Sequence, residues 1–174
     1  MKIAVSPEIT LSPLSVADAS TIFILVNQNR EELDQYFPWV KSVENREGAE
    51  AYIADRVYSE KPGARWFSVS YKGKKSGVFG IKSINNDTNT AELGYWLSKE
   101  VRGRAITNTI INSLSQYLAK AKAVKTIEFR CLEHNQAGLK VIEKTGAAFV
   151  ETIDNDIDPA PSAKPIRIYH LQLS

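Results

Sequence analysis

Cysteine and histidine are scarce in this chain. A lone Cys131 cannot close an internal disulfide or build a cysteine-rich metal site. With only His134 and His170 beside it, a zinc site is not expected. Long apolar runs are also missing, so no segment is predicted to span a bilayer. The opening "MKIAVSPEIT" reaches proline and glutamate before a signal-like stretch forms, which predicts a chain without a secretory signal. Basic residues are dispersed and the net charge is only +2, so no nucleic-acid-binding stripe is expected. Repeats and low-complexity tracts are absent. What is present is ordinary for a globular chain: 174 residues, 43% hydrophobic and 24% charged, enough to bury a sizeable core. The expectation is one soluble, cytoplasmic domain over residues 1–174.

Patterning predicts alternating strands and helices. "EITLSPL" reads as a strand, and Ser15 with Asp18 resembles a capping box before the helical spacing of "STIFILVNQN". "REELDQYFPWV" keeps helical character until Pro38 ends it, and "REGAEAYIADRVYSE" is a further helix closed by Pro62-Gly63. "RWFSVSY", "SGVFGIKSI" and "TAELGYWL", joined by turn-rich "KGKK" and "NNDTN", predict an antiparallel meander. A helix from about Ala105 to Ala121, the strand "KTIEFRCL", a helix with Asn135 as N-cap and Gly146 as its stop, and the strands "AAFVETI" and "IRIYHLQL" complete the series. Such an order predicts a mixed α/β or α+β sheet rather than a doubly wound one.

"KEVRGRAITNTIINSL" contains the chemical anomaly. Ile106, Ile110, Ile111, Leu114, Tyr117, Leu118 and Ala121 share one helical face, and Lys120 and Lys122 suit the helix end. Between Glu100 and Ala105, however, there is no Ser, Thr, Asp or Asn to accept bonds from the first amides. Either water or a ligand anion must meet them, and Arg102 and Arg104 add cations at that end. Just upstream, alternation puts Glu92, Gly94 and Trp96 on one face of a strand and Ala91, Leu93, Tyr95 and Leu97 on the other. A glycine inside a strand marks a bulge or the close approach of a ligand.

Three segments in order, "NREELDQYFPWV", "ELGYWLSKEVRGRAITNTI" and "EHNQAGLKVIEKTGAAFV", resemble the GNAT N-acetyltransferases, specifically the RimJ/RimL ribosomal-protein branch. The loop "RGRA" is similar to that family's acetyl-CoA signature, with Ala105 where a second glycine is usual and Asn108 at a position often held by threonine. The resemblance implies a mostly antiparallel mixed sheet flanked by helices, with a splayed strand pair forming the acetyl-CoA cleft. Arg102, Gly103, Arg104, Ala105, Ile106, Thr107 and Asn108 would then cradle the pyrophosphate. The backbone around Trp96 and Leu97 would bond the pantetheine arm, and Asn135 would touch that arm as well as capping its helix. Glu92 becomes the candidate catalytic base, because an ammonium must lose its proton before it attacks a thioester. Trp39, from the aromatic cluster Tyr36, Phe37 and Trp39, and Tyr95 would wall the acceptor pocket.

One departure stands out. The branch usually places a serine three residues after the asparagine, and other members a tyrosine four residues later; here those positions are Gly138 and Ile142, and neither donates a proton. Water, Tyr95, Thr107 or His134 remains to serve the leaving thiolate. His134 otherwise reads as a loop residue and Cys131 as core. The aspartates Asp154, Asp156 and Asp158 read as a solvated loop or as an attraction for a basic acceptor. The implied activity is acetyl transfer from acetyl-CoA to a primary amine, a protein N-terminus first. Polyamine- or aminoglycoside-type acetylation and coenzyme A binding without turnover are the alternatives. Neither metal, membrane nor nucleic acid is implied; a homodimer is.

Overall fold

A computed structural model describes residues 1–103, 105–155 and 164–174. Arg104, Asp156 and Asp158 lie outside the described residues. The strands are β1 (Ile3–Ala4), β2 (Ile9–Pro13), β3 (Arg65–Tyr71), β4 (Lys74–Asn85), β5 (Thr90–Leu97), β6 (Thr126–Leu132), β7 (Ala148–Ile153) and β8 (Ile166–Gln172). The α-helices are α1 (Ala19–Gln28), α2 (Arg30–Leu33), α3 (Arg46–Val57), α4 (Ile106–Lys122) and α5 (Gln136–Lys144). All strands join one sheet in the order β1-β2-β3-β4-β5-β6-β8-β7. Neighbours are antiparallel except β5 and β6. This is the mixed, mostly antiparallel sheet expected. None of the described helices is long and apolar enough to cross a membrane.

The sheet separates two apolar clusters. On one face, Ile106, Ile110, Ile111, Leu114 and Leu118 of α4 and Leu139 and Ile142 of α5 pack onto Phe79, Leu93, Leu97 and Phe129. Each such side chain contributes about 1.5–3 kcal/mol by leaving water, which is why the 3.6-residue period of α4 was so clear in the sequence. Tyr117 packs at the margin of this cluster, while Ala121 is exposed. On the opposite face, α1 and α3 bury Ile22, Leu25, Val26, Tyr52 and Ile53 against Val78 and Trp96.

Several local expectations change in detail. Ser15 and Asp18 do form a reciprocal capping box, but around a 3-10 turn, Val16–Asp18, that leads into α1. Pro38 does not merely end a helix. It opens a 3-10 turn, Pro38–Ser42, where its missing N–H is harmless. Arg30 holds that turn by donating to the carbonyls of Val40 (3.1 Å) and Val43 (2.6 Å). Trp39 is thereby presented over Tyr52, ring centres 4.5 Å apart.

Candidate active site

The sheet opens where β5 and β6 part. Their pairing runs from Thr90 opposite Thr126 to Leu93 opposite Phe129 and stops there. Beyond it β5 follows β4 as far as Leu97, while β6 follows β8 as far as Leu132. The edges of Gly94–Leu97 and residues 130–132 therefore face each other without pairing. A cavity of about 500 Å³ occupies this wedge, lined among others by Glu92, Gly94, Tyr95, Trp96, Cys131 and Asn135. Backbone groups on an unpaired strand edge are an invitation to another chain or to a ligand amide.

The start of α4 lies at the end of the same strand. Ala105 occupies its N-cap position with no side-chain bond and a left-handed backbone (φ +57°), and Gly103 is left-handed too (φ +79°). Among the described residues the amides of Ile106, Thr107 and Asn108 have no hydrogen-bond acceptor, and the first bond of the helix is Thr109 N–H to Ala105 C=O at 3.1 Å. Among the same residues, Asn108 Oδ1 is buried with no donor. Unpaired amides at a helix start, reached through a left-handed turn, make an anion-binding concavity. Gly103 owes its identity to that φ. A Cβ there would meet nothing within 4 Å.

Arg102 has a partner that the sequence did not reveal. Its guanidinium is paired with the Glu32 carboxylate, Nη1 with Oε1 and Nη2 with Oε2, the latter at 2.9 Å. Arg102 holds the Glu32 carboxyl below its ordinary range, against a smaller opposing effect of burial. The fork thus ties the loop to α2. Asn29 reinforces that junction: it accepts from Lys99 N–H at 2.9 Å and donates to Leu25 C=O at 2.7 Å and Ser98 Oγ at 3.3 Å.

Glu92 stands at the mouth of the wedge among charges the sequence did not reveal. Its Oε2 lies 3.0 Å from Lys82 Nζ and its Oε1 3.9 Å from Arg130 Nε. Lys82 is the extra residue of a bulge, for the β4–β5 register shifts between Ile81 and Ser83. The expected irregularity thus falls on β4, opposite Glu92, and Gly94 sits in register with Gly80. Gly94 serves close approach instead. A Cβ there would lie 2.9 Å from Lys82 Cδ, so its absence lets the lysine stem cross the strand to reach Glu92. Gly80 plays the matching part for Trp66, whose ring lies against its backbone. Glu128, in register with Glu92, would repel it, and Arg130 sits between them, 2.8 Å from Glu128. His170 Nε2 meets the other Glu128 oxygen at 3.0 Å. Burial pushes the Glu128 carboxyl upward, but the bonds from His170 and Arg130 outweigh this and hold it below its ordinary range.

Aromatic side chains line one side of the cavity. Trp96 donates its indole N–H to Tyr52 Oη at 2.8 Å, and Trp39 lies 5.8 Å from Trp96 between ring centres. Tyr95 points to the other face, stacked on Phe79 at 4.7 Å, where burial raises its phenol well above the ordinary value. Its hydroxyl does not share a side with Glu92. Asn135 caps α5 through Gly138 N–H at 3.0 Å. Cys131 is half-buried at the cavity wall, and burial pushes its thiol up to about 11, which suits packing rather than nucleophilic attack. His134 is an exposed loop residue whose Nε2 lies 3.3 Å from Gln35 O. Lys82 carries no warning in the sequence, because a bulge erases strand alternation. Arg130 could have been found, two residues from Glu128 on one strand face.

A strand pair that opens beside an uncapped helix is the architecture of an acyl-coenzyme A transferase, and the family model for the acetyltransferase (GNAT) domain matches residues 8–148. The chain belongs to the GNAT acetyltransferases. It is 23% identical over 145 residues to the ribosomal-protein-serine acetyltransferase of Escherichia coli strain K12, covering 83% of this chain and 81% of that one. Among solved structures it superposes on RimL, a ribosomal L7/L12 α-N-protein acetyltransferase with coenzyme A disulfide-linked to one of its cysteines. The TM-score is 0.90 at 18% identity, over 99% of this chain and 98% of that one. The microcin C7 self-immunity acetyltransferase MccE, bound to acetyl-CoA and AMP, gives a TM-score of 0.88 at 24% identity, over 98% and 95%.

Proposed function

We propose that this protein moves an acetyl group from acetyl-CoA to a primary amine, with a protein N-terminal α-amino group as the leading acceptor. The observation that carries the reading is the unpaired β5 edge, Gly94–Leu97, followed after the 3-10 turn Lys99–Val101 by the uncapped amides of Ile106, Thr107 and Asn108. The residues fit the coenzyme: the amides would take the diphosphate, the β5 edge around Trp96 and Leu97 its amide-bearing arm, and Asn135 the arm's far side. Bound there, acetyl-CoA supplies an already activated thioester carbonyl. Support for the acceptor comes from the relatives, one a ribosomal-protein-serine acetyltransferase and one a ribosomal L7/L12 α-N-protein acetyltransferase.

Glu92 then has a definite task. Lys82 now places an ammonium 3.0 Å from its carboxylate, where the acceptor's ammonium would stand. An incoming amine exchanges with Lys82, and Glu92 binds it and takes its proton directly or through water. Trp39, Tyr52 and Trp96 exclude water around the amine and fix its approach. Backbone amides of the β5 edge would meet the developing oxyanion. Gly138 and Ile142 offer no proton, so the departing thiolate is left to water. We place the reaction in the cytoplasm, with its protein acceptors.

Thiol release from acetyl-CoA, measured with N-terminal peptides, polyamines and aminoglycosides, tests the reading, with the acetylated product identified by mass spectrometry. Turnover of peptides upholds it and turnover of small amines alone replaces the acceptor. Tight coenzyme binding with no turnover would leave a binding protein.

A further inference from the structure

Arg56, on α3, is a cation that the acetyl-transfer scheme does not use. Its guanidinium carbon lies 3.6 Å from the Tyr52 ring centre, 5.1 Å from Trp66 and 5.6 Å from Trp39, so three aromatic rings enclose it. Nη1 donates to the Tyr52 carbonyl of its own helix at 3.1 Å, while Nε is buried with no partner. No carboxylate among the described residues lies within 4.0 Å of it. Burial pulls its pKa down, and the neighbouring Asp55, too far for an ion pair, offsets this only in part. Lys61 lines the same cavity, and no ion pair among the described residues includes it. A charge removed from water without a counterion is expensive, and a guanidinium left so in a cavity wall is matched to an anion that arrives with a ligand.

The position sets what that ligand is. Trp66 links the two ends of the cavity: its ring edge is 3.7 Å from the Cβ position of Gly94, beside Glu92, and its ring centre is 5.1 Å from Arg56. One wall residue thus separates a carboxylate suited to an ammonium from a guanidinium suited to an oxyanion. We propose that Arg56 is a specificity-determining residue that binds a carboxylate or phosphate group carried by the acceptor, one or two residues along from the amine that is acetylated. This rests on the acetyltransferase reading and extends it. The acceptors are amines with a nearby oxyanion, such as peptides with an acidic or phosphorylated residue just after the N-terminus, and plain polyamines are excluded by the like charge of Arg56 and Lys61. Arg rather than Lys suits the place, because its planar group both stacks on the rings and offers paired donors.

The test uses the full chain as wild type, Arg56→Gln and Arg56→Lys. Four N-terminally free tripeptide amides serve as probes: Ser-Glu-Ala and Ser-Gln-Ala, and Ser-phosphoserine-Ala and Ser-Ser-Ala. Both kcat/KM and calorimetric affinity for the protein saturated with coenzyme A are read. The wild type is expected to favour one anionic peptide over its neutral match by about tenfold or more, which is about 1.4 kcal/mol. Arg56→Gln should bring that ratio close to one, and Arg56→Lys should keep part of it. Whichever anion shows the larger ratio identifies the source. A wild-type ratio near one, or a ratio that survives in Arg56→Gln, overturns the proposal, and the first result needs no variant to fold. A binding preference lost in Arg56→Gln, with no acetylation of any peptide, would keep the oxyanion site and reject the transferase reading instead.

Discussion

Gly138→Ser restores the side chain that the family resemblance leads one to expect, and the structure says it will not fit unopposed. A Cβ at Gly138 would stand 2.6 Å from Asn135 Nδ2, 2.9 Å from Asn135 Cγ and 3.0 Å from Cys131 Sγ. To admit it, the Asn135 side chain must rotate and give up its 3.0 Å bond from Gly138 N–H, the N-cap of α5. Losing such a cap costs about 1 kcal/mol. Replacing glycine near a helix start returns roughly 0.5 kcal/mol for serine and nearly 1 for alanine. Gly138→Ala should therefore be close to neutral, and Gly138→Ser destabilised by about 0.5 kcal/mol, or 1–2 °C in melting temperature at this chain length. Both variants share the crowding, so their difference isolates the hydroxyl. In thiol-release assays at saturating acetyl-CoA, serine is expected to exceed alanine by about tenfold in kcat, below the usual hundredfold or more of general-acid effects because water already serves. A serine variant that melts more than about 2 °C above the wild type, with Asn135 still bonded to the amide, would refute the steric reasoning. Equal rates for the two variants would refute the claim that the thiolate lacks a donor.

Glu92→Gln should lower kcat by about a hundredfold or more while coenzyme A affinity stays within a few-fold. Because its ion pairs are partly exposed, stability should fall by less than about 1 kcal/mol; parallel losses of affinity and turnover would make Glu92 structural. Ala105→Gly relieves a left-handed alanine worth about 1–2 kcal/mol, less roughly 0.4–1 for the freer unfolded chain. The balance, centred on about 0.8 kcal/mol, corresponds to a rise of about 2–3 °C in melting temperature, and a lowered value rejects the strain. Cys131, with its thiol pushed up to about 11, should alkylate at pH 8 about a hundredfold more slowly than an ordinary thiol. Its rate should climb about tenfold per pH unit above that, since the thiolate fraction does; rapid labelling at pH 8 would contradict the burial.

How far the chain could be read in advance depended on whether a feature is local. The period of α4, the cap at Asn135, the left-handed stop at Gly146 and the alternation of β5 are decided within a few residues, so the sequence alone determined them. The missing cap before Ile106 was legible for the same reason: it is an absence in one short stretch. Three matters were settled only in three dimensions. Arg102 pairs with Glu32, 70 residues away, because α2 happens to pack beside that loop. Lys82 reaches Glu92 because a bulge turns it across Gly94, and a bulge leaves no periodic trace. Among the described residues Arg56 has no counterion, because the aromatic residues of α3, the Pro38 turn and β3 close around it without contributing a carboxylate. Backbone conformation follows from near neighbours in sequence; the charge that a side chain meets follows from which elements the sheet brings together.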